Sequence, residues 1–131
     1  MSKEIDPKMH TAEHILNGTM VKLFGCDRCF SAHIEKKKSK CDYYWDREIA
    51  EEEIKQVEDR VNEVIEEDLP VTEETVSRPE AEQKYDLKRL PENSSEDIRV
   101  VKVGDYDACP CIGPHINSTR DIGNFKIISY N

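Results

Sequence analysis

The clearest pattern of apolar positions along the chain lies between residues 48 and 67. Apolar side chains recur there three and four residues apart, with glutamates and lysines between them, at Ile54, Val57, Val61, Val64 and Ile65. That spacing puts the apolar side chains in one stripe along an α-helix. The pattern therefore predicts an amphipathic helix over residues 48–67, ended by Pro70, with one face available to cover a sheet.

The flanking segments predict further helices and several strands. Residues 10–24 predict a helix that Gly25 stops, with core contributions from Ile15, Leu16, Val21, Leu23 and Phe24. The polar stretch 78–89 predicts another helix, and the sequence PENSSED predicts a loop. Aromatic or β-branched residues favour extended structure at 30–45, 71–76, 99–103 and 124–130, with a turn at Gly104-Asp105. The sum is an α+β fold in which an antiparallel β-sheet packs against helices, in a single domain over residues 1–131.

Composition and charge narrow the class of protein. The chain has 131 residues, an odd count of five cysteines and a net charge of −9. We expect a cytoplasmic protein without a membrane span or signal peptide, whose cysteines are thiols or metal ligands. The negative net charge argues against non-specific electrostatic binding to nucleic acid, DNA included. Local electrostatic binding of nucleic acid stays open, because the acidic stretch 48–82 is separate from a basic patch made of Lys36, Lys37, Lys38 and Lys40.

Two pairs of residues near opposite ends of the chain have spacings typical of metal ligands. His10 and His14 lie four apart in a predicted helix, so their imidazoles share one face. Cys111 and His115 are also four apart, but an intervening Gly-Pro excludes a regular helix and favours a turn. Zinc prefers nitrogen and thiolate sulfur ligands in tetrahedral array. The two pairs therefore predict a zinc site at which the ends of the chain meet.

Three stretches with these motifs cover nearly the whole chain. In order they are HTAEHIL, DYYWDREIAEEEIKQVEDRVNEVIEEDLPV and RVVKVGDYDACPCIGPHINSTRDIGNFKI. Together they resemble the editing domain shared by threonyl- and alanyl-tRNA synthetases, which also occurs as free-standing alanyl-tRNA editing proteins. The Gly-Pro-His form of the second motif is closer to the threonyl branch, and the HTA opening is closer to the alanyl branch.

This resemblance implies a function and a set of site residues. It implies a stand-alone domain that hydrolyses the ester of mischarged tRNA in trans, with Ser-tRNA(Ala) or Ser-tRNA(Thr) as the expected substrate. The expected partner is the aminoacylated acceptor end of tRNA, and contact with a synthetase is left open, as is the oligomeric state. The catalytic and zinc-binding residues are expected to be His10, His14, Cys111 and His115. The substrate-binding residues are expected to be Thr11, Tyr44, Lys84, Cys109 and Gly113, with Lys88 as an alternative to Lys84.

The metal site leaves several alternatives open. If all four ligands bind at once, no position remains for water, so one ligand is loose, the coordination expands, or the ion only positions the substrate. Relatives carry an acidic residue two places before the ligand cysteine, where this chain has Cys109, and the nearest acid is Asp107. Cys109 is also an alternative ligand to Cys111. Glu13, adjacent to His14, is expected off the histidine face, either solvated or supporting a ligand.

The C-x-x-C formed by Cys26 and Cys29 has its own alternatives. It fits a pair of free thiols, with Cys41 nearby, a redox pair, or half of a second metal site. No second C-x-x-C accompanies it, so we expect free thiols.

Two other classes of function compete with editing. Residues 10–14 also fit H-x-x-E-H, the signature of inverted zinc peptidases, in which Glu13 would be the general base. The other class is a non-catalytic module of the same fold that binds tRNA or a synthetase. Binding without turnover would be its mark.

Overall fold

Helices and two antiparallel sheets make up the part of the chain that the computed structural model describes, residues 7–29, 31–34, 39–43, 45, 48–84, 97–111 and 115–127. The helices are α1 Pro7–Phe24, α2 Glu51–Glu66 and α3 Arg78–Lys84, with a short 3₁₀ helix at Thr119–Ile122. The strands are β1 Ser31–Ile34, β2 Ser39–Asp42, β3 Val71–Ser77, β4 Asp97–Val103 and β5 Asp107–Pro110. β1 pairs with β2, and β4 lies between β3 and β5 in a second sheet. The predicted α+β fold, an antiparallel sheet packed against helices, is confirmed.

α2 is the predicted amphipathic helix, with both ends shifted inward. Its first turn carries three glutamates, whose negative charges interact favourably with the positive end of the helix dipole. The carboxylate of Glu53 also accepts a hydrogen bond from the backbone N–H of Ala50 at 3.0 Å. Val57, Val61, Val64 and Ile65 of its apolar stripe are buried as the spacing predicts, and Ile54 is half-buried. The helix ends at Glu66, one residue before the predicted end, and Asp68 then adopts a left-handed conformation with φ 55°.

The main core lies between α1, α2 and the end of β4. Its buried members are Ile15, Met20, Val57, Val61, Val64, Ile65, Val103 and Tyr106. A 2.6 Å hydrogen bond between the hydroxyls of Thr19 and Tyr106 joins α1 to the β4–β5 turn. The prediction that Val21 and Leu23 belong to the core is wrong, since they lie on the solvent side of α1 with exposures of 38% and 44%.

The three-stranded sheet carries the second half of the site. β3 and β4 are confirmed, and so is the turn at Gly104, which has φ 49° and donates its N–H to the carbonyl of Pro70 at 2.8 Å. The strand β5 was not predicted. It pairs with β4 in the register Val101 to Cys109 and Val103 to Asp107, although its sequence DACP has no β-branched residue. This pairing brings the chain to Cys111 alongside α1.

The predicted closing strand at 124–130 is wrong for residues 124–127. Side chains of α2 take the hydrogen bonds that a neighbouring strand would have supplied. Asn62 bonds both the N–H and the carbonyl of Phe125 at 2.8 Å, and Glu58 accepts the N–H of Ile127 at 2.7 Å. Residues 128–130, 85–89 and most of the predicted PENSSED loop lie outside the described residues.

None of the described helices combines the length and the apolar character needed to cross a membrane.

Candidate functional site

The four predicted metal ligands come together beside the N-terminal half of α1. His10 and His14 lie one helical turn apart, with ring centroids separated by 5.2 Å. Cys111 directly follows β5, and His115 follows after residues 112–114, whose structure is not described. One nitrogen or sulfur atom from each of the four side chains lies within 4.8 Å of the others. This is the one group of at least three such side chains within the described residues.

The separations between donor atoms suit a single metal ion. Sγ of Cys111 lies 3.2 Å from Nε2 of His10 and 3.4 Å from Nε2 of His115. Zinc bonds of about 2.0–2.3 Å in tetrahedral array put neighbouring donor atoms roughly 3.4–3.7 Å apart, which is close to the observed separations. His10, His14 and Cys111 are buried, whereas His115 is half-buried. The cluster could therefore hold a metal ion, with His115 as the ligand nearest solvent.

The hydroxyl of Thr11 determines which nitrogen of His115 faces the cysteine. Thr11 is fully buried, and its hydroxyl donates to the carbonyl of Pro7 at 2.9 Å. Because its proton is used there, the same oxygen accepts from Nδ1 of His115 at 2.8 Å and from the N–H of Ile116 at 3.4 Å. His115 therefore carries its proton on Nδ1, and the lone pair of Nε2 faces Cys111.

The surroundings of His115 keep its imidazole neutral. Burial first, then the nearby His10 and Arg99, lower the pKa of His115 to about 3. A neutral imidazole is the form that binds a metal. Arg99 also donates from Nη1 to the carbonyl oxygen of Cys111 at 3.1 Å, which fixes the backbone where β5 ends.

Asp107, which the sequence singled out only as the acid nearest to Cys109, and Arg28, which it did not indicate, are further functional candidates. Arg28 donates to both carboxylate oxygens of Asp107, at 2.7 and 3.2 Å. Oδ2 of Asp107 lies 3.8 Å from Nδ1 of His14. Alternation along a strand puts residues 107, 109 and 111 on one face, and that signal could have placed Asp107 at the site had β5 been predicted.

Cys109 lies on β5 but is not one of the four clustered ligands. Its thiol donates to the carbonyl of Pro110 at 3.3 Å. Burial raises the pKa of Cys109 to about 12, with Asp107 adding to the effect and Arg28 opposing it. The structure therefore brings Cys111, rather than Cys109, to the histidines.

A layer of buried polar side chains lies beside the cluster. Glu13 is 6% exposed and accepts from Nδ2 of Asn17 at 3.3 Å, so of its two expected states, solvated or supporting a ligand, the first is wrong. Oδ1 of Asn17 accepts from the hydroxyl of Tyr43 at 2.7 Å and from the N–H of Cys29 at 3.1 Å. These bonds join α1 to the segments on either side of the β1–β2 pair.

All five cysteines lie among the described residues, and none of them is in a disulfide, as expected. Cys29 is buried and accepts from Asn17 Nδ2 at 3.4 Å, while the thiol of Cys26 lies 3.6 Å from the carbonyl of Met20. Since the described residues contain one possible metal-binding group, the structure gives no support for a second metal site at this C-x-x-C.

The remaining predicted contacts are divided between described and undescribed parts of the chain. Lys84 ends α3, with its side chain 60% exposed and 4.0 Å from Glu80. Lys40 is also exposed and lies 4.0 Å from Asp42. The other predicted residues lie outside the described residues, namely Tyr44, Gly113, Lys36, Lys37, Lys38 and Lys88.

Comparison with known proteins points to one family. Residues 98–131 match the threonyl and alanyl tRNA synthetase second additional domain. The chain is 33% identical over 123 residues to the alanyl-tRNA editing protein AlaX-L of Pyrococcus horikoshii, a match that covers 94% of this chain and 30% of the relative. It is 35% identical over 121 residues to the alanine–tRNA ligase of Fervidobacterium nodosum, covering 92% of this chain and 14% of the ligase.

The matched region carries the second half of the ligand cluster, and the longer alignments include the first half. The fold and the side-chain cluster define a small α+β domain with one three-histidine, one-cysteine site. Residues 98–131 belong to the threonyl and alanyl tRNA synthetase second additional domain, and the alignments to these two relatives extend the similarity over more than nine tenths of the chain. It spans less than a third of the length of these relatives.

Proposed function

We propose that this chain is an aminoacyl-tRNA deacylase that hydrolyses the ester of mischarged tRNA, with Ser-tRNA(Ala) or Ser-tRNA(Thr) as its substrate. The observation that carries the proposal is the convergence of His10, His14, Cys111 and His115 from the two ends of the chain. The name of the Pyrococcus relative, an alanyl-tRNA editing protein, supports the same activity. The aminoacylated end of tRNA is the proposed partner. A cytoplasmic location and action as one stand-alone domain stay predictions.

We propose zinc as the ion that these four side chains bind. A bound zinc ion would supply Lewis acidity toward the ester carbonyl or toward a water molecule. Thr11 keeps Nε2 of His115 available, and Arg99 fixes the backbone at Cys111. We propose His115, the least buried of the four, as the ligand whose loosening opens the position that a catalytic zinc needs.

The substrate contacts follow from what each side chain already binds. The hydroxyl of Thr11 has three partners inside the protein, so we propose that it positions His115 and does not contact the substrate. The raised pKa of Cys109 keeps its thiol protonated, which suits a hydrogen-bonding contact better than a nucleophile. Tyr44, Gly113 and Lys84 stay predicted contacts.

The competing functions are weaker. A peptidase would need Glu13 as a general base on a metal-bound water, but its carboxylate accepts from Asn17 within the buried polar layer. A non-catalytic module of the same fold would fit the lack of a carboxylate at position 109. The carboxylate of Asp107 near His14 weakens that argument.

Deacylation assays test the proposal. Ser-tRNA(Ala), Ser-tRNA(Thr) and Gly-tRNA(Ala) would be incubated with wild type and with His10→Ala/His14→Ala, each with and without a chelator. We expect the wild type to hydrolyse a seryl ester selectively, and the double variant to lose that activity while it remains folded. His33→Ala is the matched control, since His33 belongs to β1 and is not one of the four predicted ligands.

Each outcome has a definite meaning. Full activity in the double variant would refute the site assignment, and chelator-resistant activity would refute the role of zinc. Intact tRNA binding without turnover on any of the three substrates would favour the non-catalytic module.

The basic patch is the proposed tRNA surface. We expect Lys36→Glu/Lys38→Glu to weaken tRNA binding and to flatten its salt dependence, because fewer counterions are released. Lys55→Glu, on the exposed side of α2, serves as the control. An unchanged salt slope in the double variant would mean that tRNA binds another surface.

A further inference from the structure

α1 and β5 run side by side with matching repeats. At one end, Nε2 of His10 lies 3.2 Å from Sγ of Cys111. At the other end, a Cβ on Gly18 would lie 3.0 Å from Oδ1 of Asp107. Four residues of helix advance about 6 Å, and two residues of strand advance about 6.7 Å. The helix therefore advances from His10 to Gly18 while the strand runs back from Cys111 to Asp107, and His14 lies midway.

Arg28 holds the carboxylate of Asp107 against this helix. The two side chains form a bidentate pair at 2.7 and 3.2 Å, and Asp107 is only 6% exposed. Burial lowers the pKa of Arg28, but the charge and hydrogen bond of Asp107, together with Cys109 and Glu13, outweigh that effect and raise it. A bidentate pair of this kind fixes the orientation of the carboxylate as well as its charge. Oδ2 is consequently held 3.8 Å from Nδ1 of His14.

We propose that Asp107 is a positioning residue for the metal site, with Arg28 as its anchor. The inference rests on the metal site proposed above. Asp107 accepts the Nδ1–H of His14 and so directs Nε2 of that ring to the metal. Carboxylates that receive the second N–H of a metal-bound histidine fix its tautomer and orientation. Since 3.8 Å is longer than a hydrogen bond, metal binding must bring the two groups together by roughly 0.6–1 Å.

This arrangement accounts for the departure at Cys109. The acidic residue that the family resemblance places at position 109 lies one strand repeat from Asp107 and on the same face of β5. In this chain the carboxylate is thus moved along the strand to His14. Gly18 permits the move, because any side chain there would press on the carboxyl group of Asp107.

Cobalt(II) is the probe that tests the proposal. The chelator-treated full chain would be titrated with Co²⁺ while the visible absorption of the bound ion is recorded, and Zn²⁺ affinity would then be measured by competition. We expect Asp107→Asn to lower the affinity for both metals by roughly 10- to 100-fold and to change the absorption spectrum of bound Co²⁺. Asp42→Asn is the matched control, because the half-buried Asp42 pairs with the exposed Lys40 and is not one of the four clustered side chains.

Two further variants separate positioning from folding. Asp107→Asn leaves the guanidinium of Arg28 without its carboxylate and can unfold the chain for that reason alone. Arg28→Gln/Asp107→Asn removes both charges, so we expect it to recover stability but not metal affinity. Gly18→Ala favours the helix yet displaces Asp107, so we expect metal affinity to fall about 10-fold while the metal-free protein stays folded.

The outcomes distinguish this inference from the function on which it rests. Wild-type affinity and an unchanged spectrum in folded Arg28→Gln/Asp107→Asn and Gly18→Ala would overturn the positioning role and leave the metal site intact. Absence of Co²⁺ and Zn²⁺ binding by the wild type would overturn the metal site and this inference together. Deacylation is measured separately and decides neither outcome.

Discussion

Replacement of Thr11 by valine tests the hydrogen bonds that orient His115. Valine keeps the shape of the fully buried side chain and removes only its hydroxyl. Nδ1–H of His115 and N–H of Ile116 then lose their acceptor. A buried donor without a partner costs about 1–3 kcal/mol. The hydrogen bond from Ile116 is long at 3.4 Å, so its loss costs an amount at the low end of that range. We therefore expect a total loss of about 2–3 kcal/mol in the free energy of unfolding.

Thr11→Ser is the matched control. Serine keeps the hydroxyl and loses one buried methyl group, which costs about 0.8 kcal/mol. Urea unfolding of the chelator-treated proteins would compare the three stabilities, and competition with a chelator would compare their zinc affinities. We expect zinc affinity to fall about 10- to 100-fold in Thr11→Val, because the ring of His115 is then free to take the other tautomer. Thr11→Ser should bind like the wild type. Equal stability and equal affinity in the two variants would refute the reasoning.

Three further predictions concern the core, a turn and the effect of pH. Val61→Ala should lower the free energy of unfolding by about 1.5–3 kcal/mol, whereas Val21→Ala, at an exposed position of α1, should change it by less than about 0.5 kcal/mol in denaturant titrations. Gly104→Ala should cost more than Gly25→Ala when their melting temperatures are compared. Both glycines have positive φ, but a Cβ on Gly104 alone meets a neighbouring leucine, at 3.2 Å. Metal-free wild type should lose stability as the pH falls from about 6.5 toward 3, because His115 is protonated in the unfolded chain over this range but stays neutral in the folded protein. The slope should be at most about 1.4 kcal/mol per pH unit, reduced by the partial exposure of the ring, and His115→Gln should flatten it.

Periodic and chemically specific patterns could be predicted from the sequence. The apolar side chains of α2 recur three and four residues apart, a spacing that is visible in the sequence alone. The helix could therefore be predicted, with small errors at its ends. The four clustered side chains could be predicted because the i, i+4 pair His10 and His14 and the C-x-x-x-H of Cys111 and His115 occur together in one short chain. Residues 10–24 were correctly predicted as helical. The predicted burial of Val21 and Leu23 was wrong, because the buried face of α1 is mainly polar.

Elements stabilised by distant partners could not be predicted. β5 has no β-branched residue, and it is a strand because β4 presents a free edge to it. Residues 124–127 have strand-like side chains, but Asn62 and Glu58 capture their backbone groups. The pair of Arg28 and Asp107 joins positions 79 apart in sequence, with no local motif to connect them.

The most direct test of the central claim is the rate of deacylation of Ser-tRNA(Ala) and of Ser-tRNA(Thr) by stoichiometric protein, compared between wild type, His10→Ala/His14→Ala and His33→Ala. We expect release of serine from at least one of the two by wild type and by His33→Ala, and no release above the uncatalysed rate by the folded double variant. Equal rates for all three proteins, or no release by the wild type from either seryl-tRNA, would contradict it.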